Sequence, residues 1–134
     1  MEDLFGLYRV KALMMIHEAS ERFASREEIE QMEDNEQNED YKDLMRMFVE
    51  IAPDLLKVKI KVTPAELEQA KEEEPDVEVD EDRRITLEKH EMRQVDGVYQ
   101  YECGEEDGAP FFAAFERNED GDLLYGQAIV LERV

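Results

Sequence analysis

The side chains with chemical potential are few and scattered. His17 and His90 are the only histidines, and Cys103 is the only cysteine. A histidine-based metal site needs ligands at helical or hairpin spacing, and these two lie far apart with no cysteine beside either. Both are expected to be surface or structural histidines, and no metal site is expected. A nucleophilic thiol needs a base and an electropositive setting. Cys103 sits in YECGEEDG between Glu102, Glu105 and Glu106, so an inert structural thiol is expected.

Asn118-Glu119-Asp120-Gly121-Asp122 has the opening of a calcium loop. Such a loop needs glycine at its sixth position and glutamate at its twelfth, where this chain has Leu123 and Ile129. The segment reads as a hairpin turn instead. No GxSxG, phosphate-binding loop, HExxH or paired CxxC occurs. Carboxylate pairs are too abundant for any one to be picked out as an acid–base couple. The chain is therefore not expected to be an enzyme, nor to carry a cofactor.

Charge limits the partners. The 134 residues hold 37 acidic against 16 basic side chains, a formal net charge of -21. Nucleic acid and anionic membranes are polyanions, so neither is an expected partner. The acids gather in four places: Glu33 to Asp40, Glu72 to Asp82, Glu105 to Asp107 and Glu119 to Asp122. An acidic interaction or inhibitor protein that meets a basic partner, even as a mimic of a nucleic acid backbone, is the second functional reading. Cys103 alone permits no internal disulfide. No apolar run is long enough to span a bilayer, and MEDLFGLYRVK lacks the form of a signal peptide, so a cytoplasmic location is the default.

Hydrophobic residues make up 42% of the chain, enough for one core in a single domain over residues 1–134. Alternation dominates the pattern. Leu4 to Ile16 reads as a strand with Gly6, Tyr8, Val10, Ala12 and Met14 on one side. Leu44 to Ile51 places Met45, Met47, Val49 and Ile51 on one face. After Ala52-Pro53-Asp54, Leu56, Val58, Ile60 and Val62 alternate with Lys57, Lys59 and Lys61, which predicts a hairpin.

Two helical insertions are expected. Ser25-Arg26-Glu27-Glu28 and Thr63-Pro64-Ala65-Glu66 both have capping-box form, the second with proline at the first helical position. They predict short helices from about Ser25 to Met32 and from Thr63 to about Glu73. The run DNEQNED between them reads as an acidic loop.

Short strands follow: Val77 to Asp80, Arg83 to Val95, a turn at Asp96-Gly97, and Val98 to Cys103 with Tyr99 and Tyr101 on one face. Gly104 to Pro110 reads as a loop, then come a strand at Phe111 to Phe115, a turn at Asn118 to Asp122, and a last strand from Leu123 to Val134. Roughly eight antiparallel strands close most readily into an up-and-down barrel, with a two-sheet sandwich as the runner-up.

The layout resembles the calycin group, the lipocalins and fatty-acid-binding proteins with their small bacterial lipocalin-like relatives. DLFGLYRVKALM resembles their first strand, with Tyr8 where the family has tryptophan. ITLEKHEMRQVDGVYQYECG resembles a mid-barrel hairpin, and AIVLERV the closing strand, with Arg133 as its arginine. The resemblance implies a barrel with an interior cavity and a small hydrophobic or amphipathic ligand.

The expected inward residues are Tyr8, Val10, Met14, Met47, Val49, Val58, Ile60, Tyr99, Tyr101, Phe111, Phe115, Ile129 and Leu131. Seven methionines suit either a loose core or an adaptable pocket. Tyr125, Gln127 and Arg133 share parity on the expected last strand, where they would form a site for a ligand carboxylate.

Overall fold

The computed structural model describes residues 4–17, 20–126 and 128–134. It is mainly β: an antiparallel, nearly closed barrel of ten strands with three short helices. Pairing runs β7 (Ala109–Ala114), β6 (Val98–Glu106), β5 (Arg84–Val95), β4 (Leu55–Lys61), β3 (Met47–Ile51), β1 (Gly6–His17), β10 (Ile129–Arg133), β9 (Leu123–Tyr125), β8 (Glu116–Arg117), and β2 (Ser20–Ser25) pairs with β1 off this path. The ends of the path, β7 (Ala109–Ala114) and β8 (Glu116–Arg117), are separated only by Phe115. They act as one bent strand whose first half pairs with β6 and whose second half pairs with β9. Counted so, and with β2 aside, eight staves surround the core, which removes most exposed edges.

β1 (Gly6–His17) is the longest-reaching stave. Its start pairs with β3, its middle with β10, and its far half with β2 (Ser20–Ser25). Gly6 is required where it stands: φ is +140°, and a Cβ there would lie 2.8 Å from Nη1 of Arg133. The alternation expected for β1 holds for Tyr8 and Val10 and then breaks. A bulge between Val10 and Ala12 shifts the register against β10, so Leu13 is buried and Met14 is only partly so. One extra residue in a strand exchanges its faces, and this corrects Met14 as an inward residue.

Ser25 caps α1 (Arg26–Glu30) by accepting from the Glu28 N–H, but the Glu28 carboxylate pairs with Arg22, so half of the expected box forms. The expected loop DNEQNED is instead the start of α2 (Glu36–Leu44). Asn35 caps it by accepting from the Asn38 N–H at 3.0 Å, and Glu36 and Glu39 lie in the first turn, where the helix dipole favours anions. Tyr41 and Leu44, one turn apart, pack on the core. The strand expected from Leu44 therefore starts at Met47, and Met45 is the helix C-cap.

β3 (Met47–Ile51) and β4 (Leu55–Lys61) form the expected hairpin, with Val49 opposite Val58 and Met47 opposite Ile60. Thr63 and Glu66 form the complete capping box of α3 (Pro64–Glu73), which buries no side chain. Val77 to Asp80, expected as a strand, contributes only a bridge between Val79 and Ile85.

β5 (Arg84–Val95) turns at Asp96-Gly97 into β6 (Val98–Glu106). The expected loop at Gly104 to Pro110 is a second hairpin turn. Asp107-Gly108 (φ 52° and 80°) repeats Asp96-Gly97 (φ 51° and 81°), with both residues left-handed as the tight turn demands. The expected last strand is two, β9 (Leu123–Tyr125) and β10 (Ile129–Arg133), joined by a turn that includes Gly126 at φ 66°.

Candidate functional site

The inner faces of the staves divide into a packed body and an open mouth. In the body, Val10, Val49, Leu56 and Leu131 have no exposed surface, and Tyr8, Ile51 and Leu123 have almost none. They belong to one contiguous cluster. The Tyr8 hydroxyl donates to the Leu4 carbonyl at 2.7 Å, which removes the cost of a buried O–H. These side chains are core and offer no room to a ligand.

The mouth lies on the same inner face, one or two residues further along the hairpin. Met47 and Val58, buried members of the same cluster, and the partly buried Ile60 form the wall of an open cavity of about 360 Å³. Leu44 and the acids Asp40 and Asp43, all from the last turns of α2, face them across it, and Leu87 of β5 completes the lining. Leu87 is 58% exposed although it is a large apolar residue. It sits between the paired residues Thr86 and Glu88 as the extra residue of a bulge, since Lys59 pairs with Thr86 and Val58 with Glu88. Among the described residues, Asp40 makes no ion pair, and Asp43 has Arg46 at 3.9 Å.

Three of the residues expected to face a ligand therefore come together here: Met47, Val58 and Ile60. The rest lie elsewhere. Tyr8 and Val10 are in the packed body. Tyr101, Phe115 and Tyr125 form an aromatic group across the seam where β7 bends into β8. Tyr101 stacks on Tyr125 with ring centroids 5.3 Å apart, and Phe115 lies 4.6 Å from Tyr101. The Tyr101 hydroxyl accepts from the Gly126 N–H at 3.0 Å, which ties β6 to the β9–β10 turn. Burial pushes the Tyr125 hydroxyl up to about 12, helped by Tyr101 and Glu88, and burial also raises Tyr101. Both phenols are neutral structural groups at ordinary pH.

Tyr99 packs edge-on against Phe5 at 5.0 Å, and Ile129 is partly buried against the core. Phe111 is corrected outright: it is exposed, and its ring lies over Gly104, where a Cβ would meet it at 2.5 Å. The bulge between Glu102 and Gly104 puts it there.

The expected carboxylate site is not assembled: Tyr125 ends β9 opposite Ile129 and stacks on Tyr101, whereas Arg133 lies at the far end of β10. Arg133 donates from Nη1 to the Phe5 carbonyl at 2.9 Å, and its guanidinium lies 5.3 Å from the centre of the Tyr8 ring. It holds the chain start against β10. Gln127 lies outside the described residues.

His90 sits between two carboxylates, with Nε2 3.1 Å from Glu88 and Nδ1 3.7 Å from Glu102. The side chain of His17 is outside the described part. Cys103 is exposed, with Sγ 3.7 Å from the Phe111 carbonyl. Among the described residues, no group of three His, Cys, Asp or Glu side chains is placed to hold a metal ion. Among them, too, no helix is long and apolar enough to cross a membrane.

Sequence reasoning missed Leu44 and Leu87. A helix reading of residues 36–44 would have placed Tyr41 and Leu44 on one face, so a signal existed for Leu44. The bulge takes Leu87 out of strict alternation and leaves no such signal. No protein-family model matches the chain, and no curated protein or solved structure matches it either.

Proposed function

We propose that the barrel binds a small apolar or amphipathic molecule, without covalent chemistry, in the mouth beneath α2. The observation that carries this reading is the cavity of about 360 Å³ walled by Met47, Val58, Ile60, Leu44 and Leu87. Its volume is within the range of ligand pockets, about 300–1,000 Å³. Apolar walls supply affinity without direction, and methionine adapts to irregular shapes. Asp40 and Asp43 give the opening a negative edge. They favour a ligand whose head group is cationic or donates hydrogen bonds, and they disfavour a carboxylate. The family-level reading, a lipocalin-like protein, accords with the eight-stave layout, and with a cytoplasmic location it stands as part of this proposal.

Leu87 offers the cleanest test, because it is already largely exposed and its replacement leaves the packed body intact. The full chain is titrated with N-phenyl-1-naphthylamine, a neutral apolar fluorophore. Leu87→Asp is expected to weaken binding about tenfold, the loss of roughly one apolar side-chain contact, with the melting temperature unchanged. Native mass measurement of the purified chain is expected to show a bound molecule that denaturation releases. A fluorophore that does not saturate, or that binds the Leu87→Asp chain equally well, overturns the reading.

A further inference from the structure

The outer face of the same hairpin carries a second concavity, of about 310 Å³, and its chemistry is the reverse of the first. Phe48 and Val62 provide apolar surface, and four cations line it: Arg26, Arg46, Lys61 and Arg83. That is a quarter of the chain's 16 basic residues gathered in one groove of a molecule with net charge -21. Among the described residues, no carboxylate lines the groove.

The four cations are not equally committed. Arg26 donates to the carbonyls of Val10 and Met45 and lies 3.1 Å from Glu30. Arg46 donates to the Lys61 carbonyl and pairs with Glu66 at 2.8 Å. These two are structural, and Glu30 and Glu66 offset their charge. Lys61 and Arg83 make no ion pair among the described residues, although Arg83 follows Asp80, Glu81 and Asp82 directly in the chain. Arg84 takes Asp80 and Asp82 instead, and its guanidinium stacks on Phe48 at 4.4 Å. Arg83 is also held at φ +60°, a left-handed backbone that L side chains rarely adopt. Its carbonyl accepts from the Val62 N–H at 3.0 Å, which fixes the residue at the groove.

We propose that this groove binds a small organic anion, a compact phosphate or carboxylate on a flat apolar body. The anion lies between Lys61 and Arg83, and the body rests on Phe48 and Val62. Two unpaired cations beside fixed guanidinium groups suit a compact anion. The whole-molecule charge of -21 repels polyanions and a second copy of the chain, so the ligand is small. The site is independent of the barrel mouth, whose acidic edge turns the same ligand away.

The test uses 1-naphthyl phosphate and amide resonances of the full chain. Saturable shifts are expected at Phe48, Lys61, Val62 and Arg83. Lys61→Gln with Arg83→Gln is expected to weaken binding at least about tenfold, the loss of one to two charge-assisted contacts, with the melting temperature retained. Lys61→Gln alone, at an exposed position, gives a smaller loss and serves if the double variant misfolds. The proposal fails if no shift saturates, if uncharged 1-naphthol binds as well, if the shifts centre on Leu44 and Leu87, or if neither variant alters affinity.

Discussion

The β3–β4 hairpin has two faces made of neighbouring residues, and they differ in almost every physical respect. Its inner face, Met47, Val49, Ile51, Leu56, Val58 and Ile60, is apolar, packed at one end and open at the other. Its outer face, Arg46, Phe48, Glu50, Lys57, Lys59 and Lys61, is a field of ion pairs that ends in a cationic groove. The open part of the inner face has an acidic edge; the groove on the outer face has a basic lining. Alternation with period two does this, because each step along a strand crosses the sheet. A molecule with 40% charged residues can therefore keep a dry interior and still present two concavities of opposite sign.

The largest contrast is expected from truncation at adjacent positions. Leu56 has no exposed surface, so Leu56→Ala removes buried methyl groups and leaves a cavity, at a cost of about 3 kcal/mol. Lys57→Ala next to it gives up one exposed ion pair, under about 1 kcal/mol. Urea unfolding of both variants measures the difference, and equal losses would mean that the two faces are not distinct. A smaller effect is expected at the end of the hairpin. Thr63→Ala removes the acceptor for the Glu66 N–H at 3.2 Å and half of the α3 capping box, a loss of about 1 kcal/mol in the same measurement.

The same alternation explains what was legible in the sequence. Leu55 to Val62, the Thr63 capping box and Asp96-Gly97 each state their structure in a few adjacent residues, and all three are borne out. So is the mainly β antiparallel barrel with short helices. Met47, Val58 and Ile60 were legible as inward residues for the same reason. The bulges were not: the residue inserted after Val10 exchanges Met14 for Leu13, and the one at Leu87 creates a cavity wall that no periodicity marks. α2 is hidden because its sequence is almost wholly polar: its first half reads as the acidic loop DNEQNED and Leu44 as the start of a strand. Asp107-Gly108 carries the same turn chemistry as Asp96-Gly97 but was submerged among acids. The basic groove was invisible for a different reason. Arg26, Arg46, Lys61 and Arg83 come from four separate stretches of chain, and the register of β3 against β4, the pairing of β4 with β5 and the path of α1 bring them together.

The smallest expected effect concerns how the outer face holds its charges. Glu78 lies 2.9 Å from Lys57 and 3.3 Å from Lys89. The hydrogen bond from Lys57, helped by the one from Lys89, holds its carboxyl down at about 2 from an ordinary 4.5, against the opposing pull of desolvation. An acid whose folded value is depressed stabilises the fold above its unfolded value and loses that contribution as pH falls through the folded one. The stability difference between the native chain and Glu78→Gln is therefore expected to be constant above about pH 5 and to shrink progressively as pH falls toward 2. Glu78 is half exposed, so solvent and salt screen the pair and the plateau is less than about 1 kcal/mol. Urea midpoints of both chains from pH 7 to pH 2 give the curve. A difference that stays flat across that window would show that Lys57 and Glu78 are neighbours without being coupled.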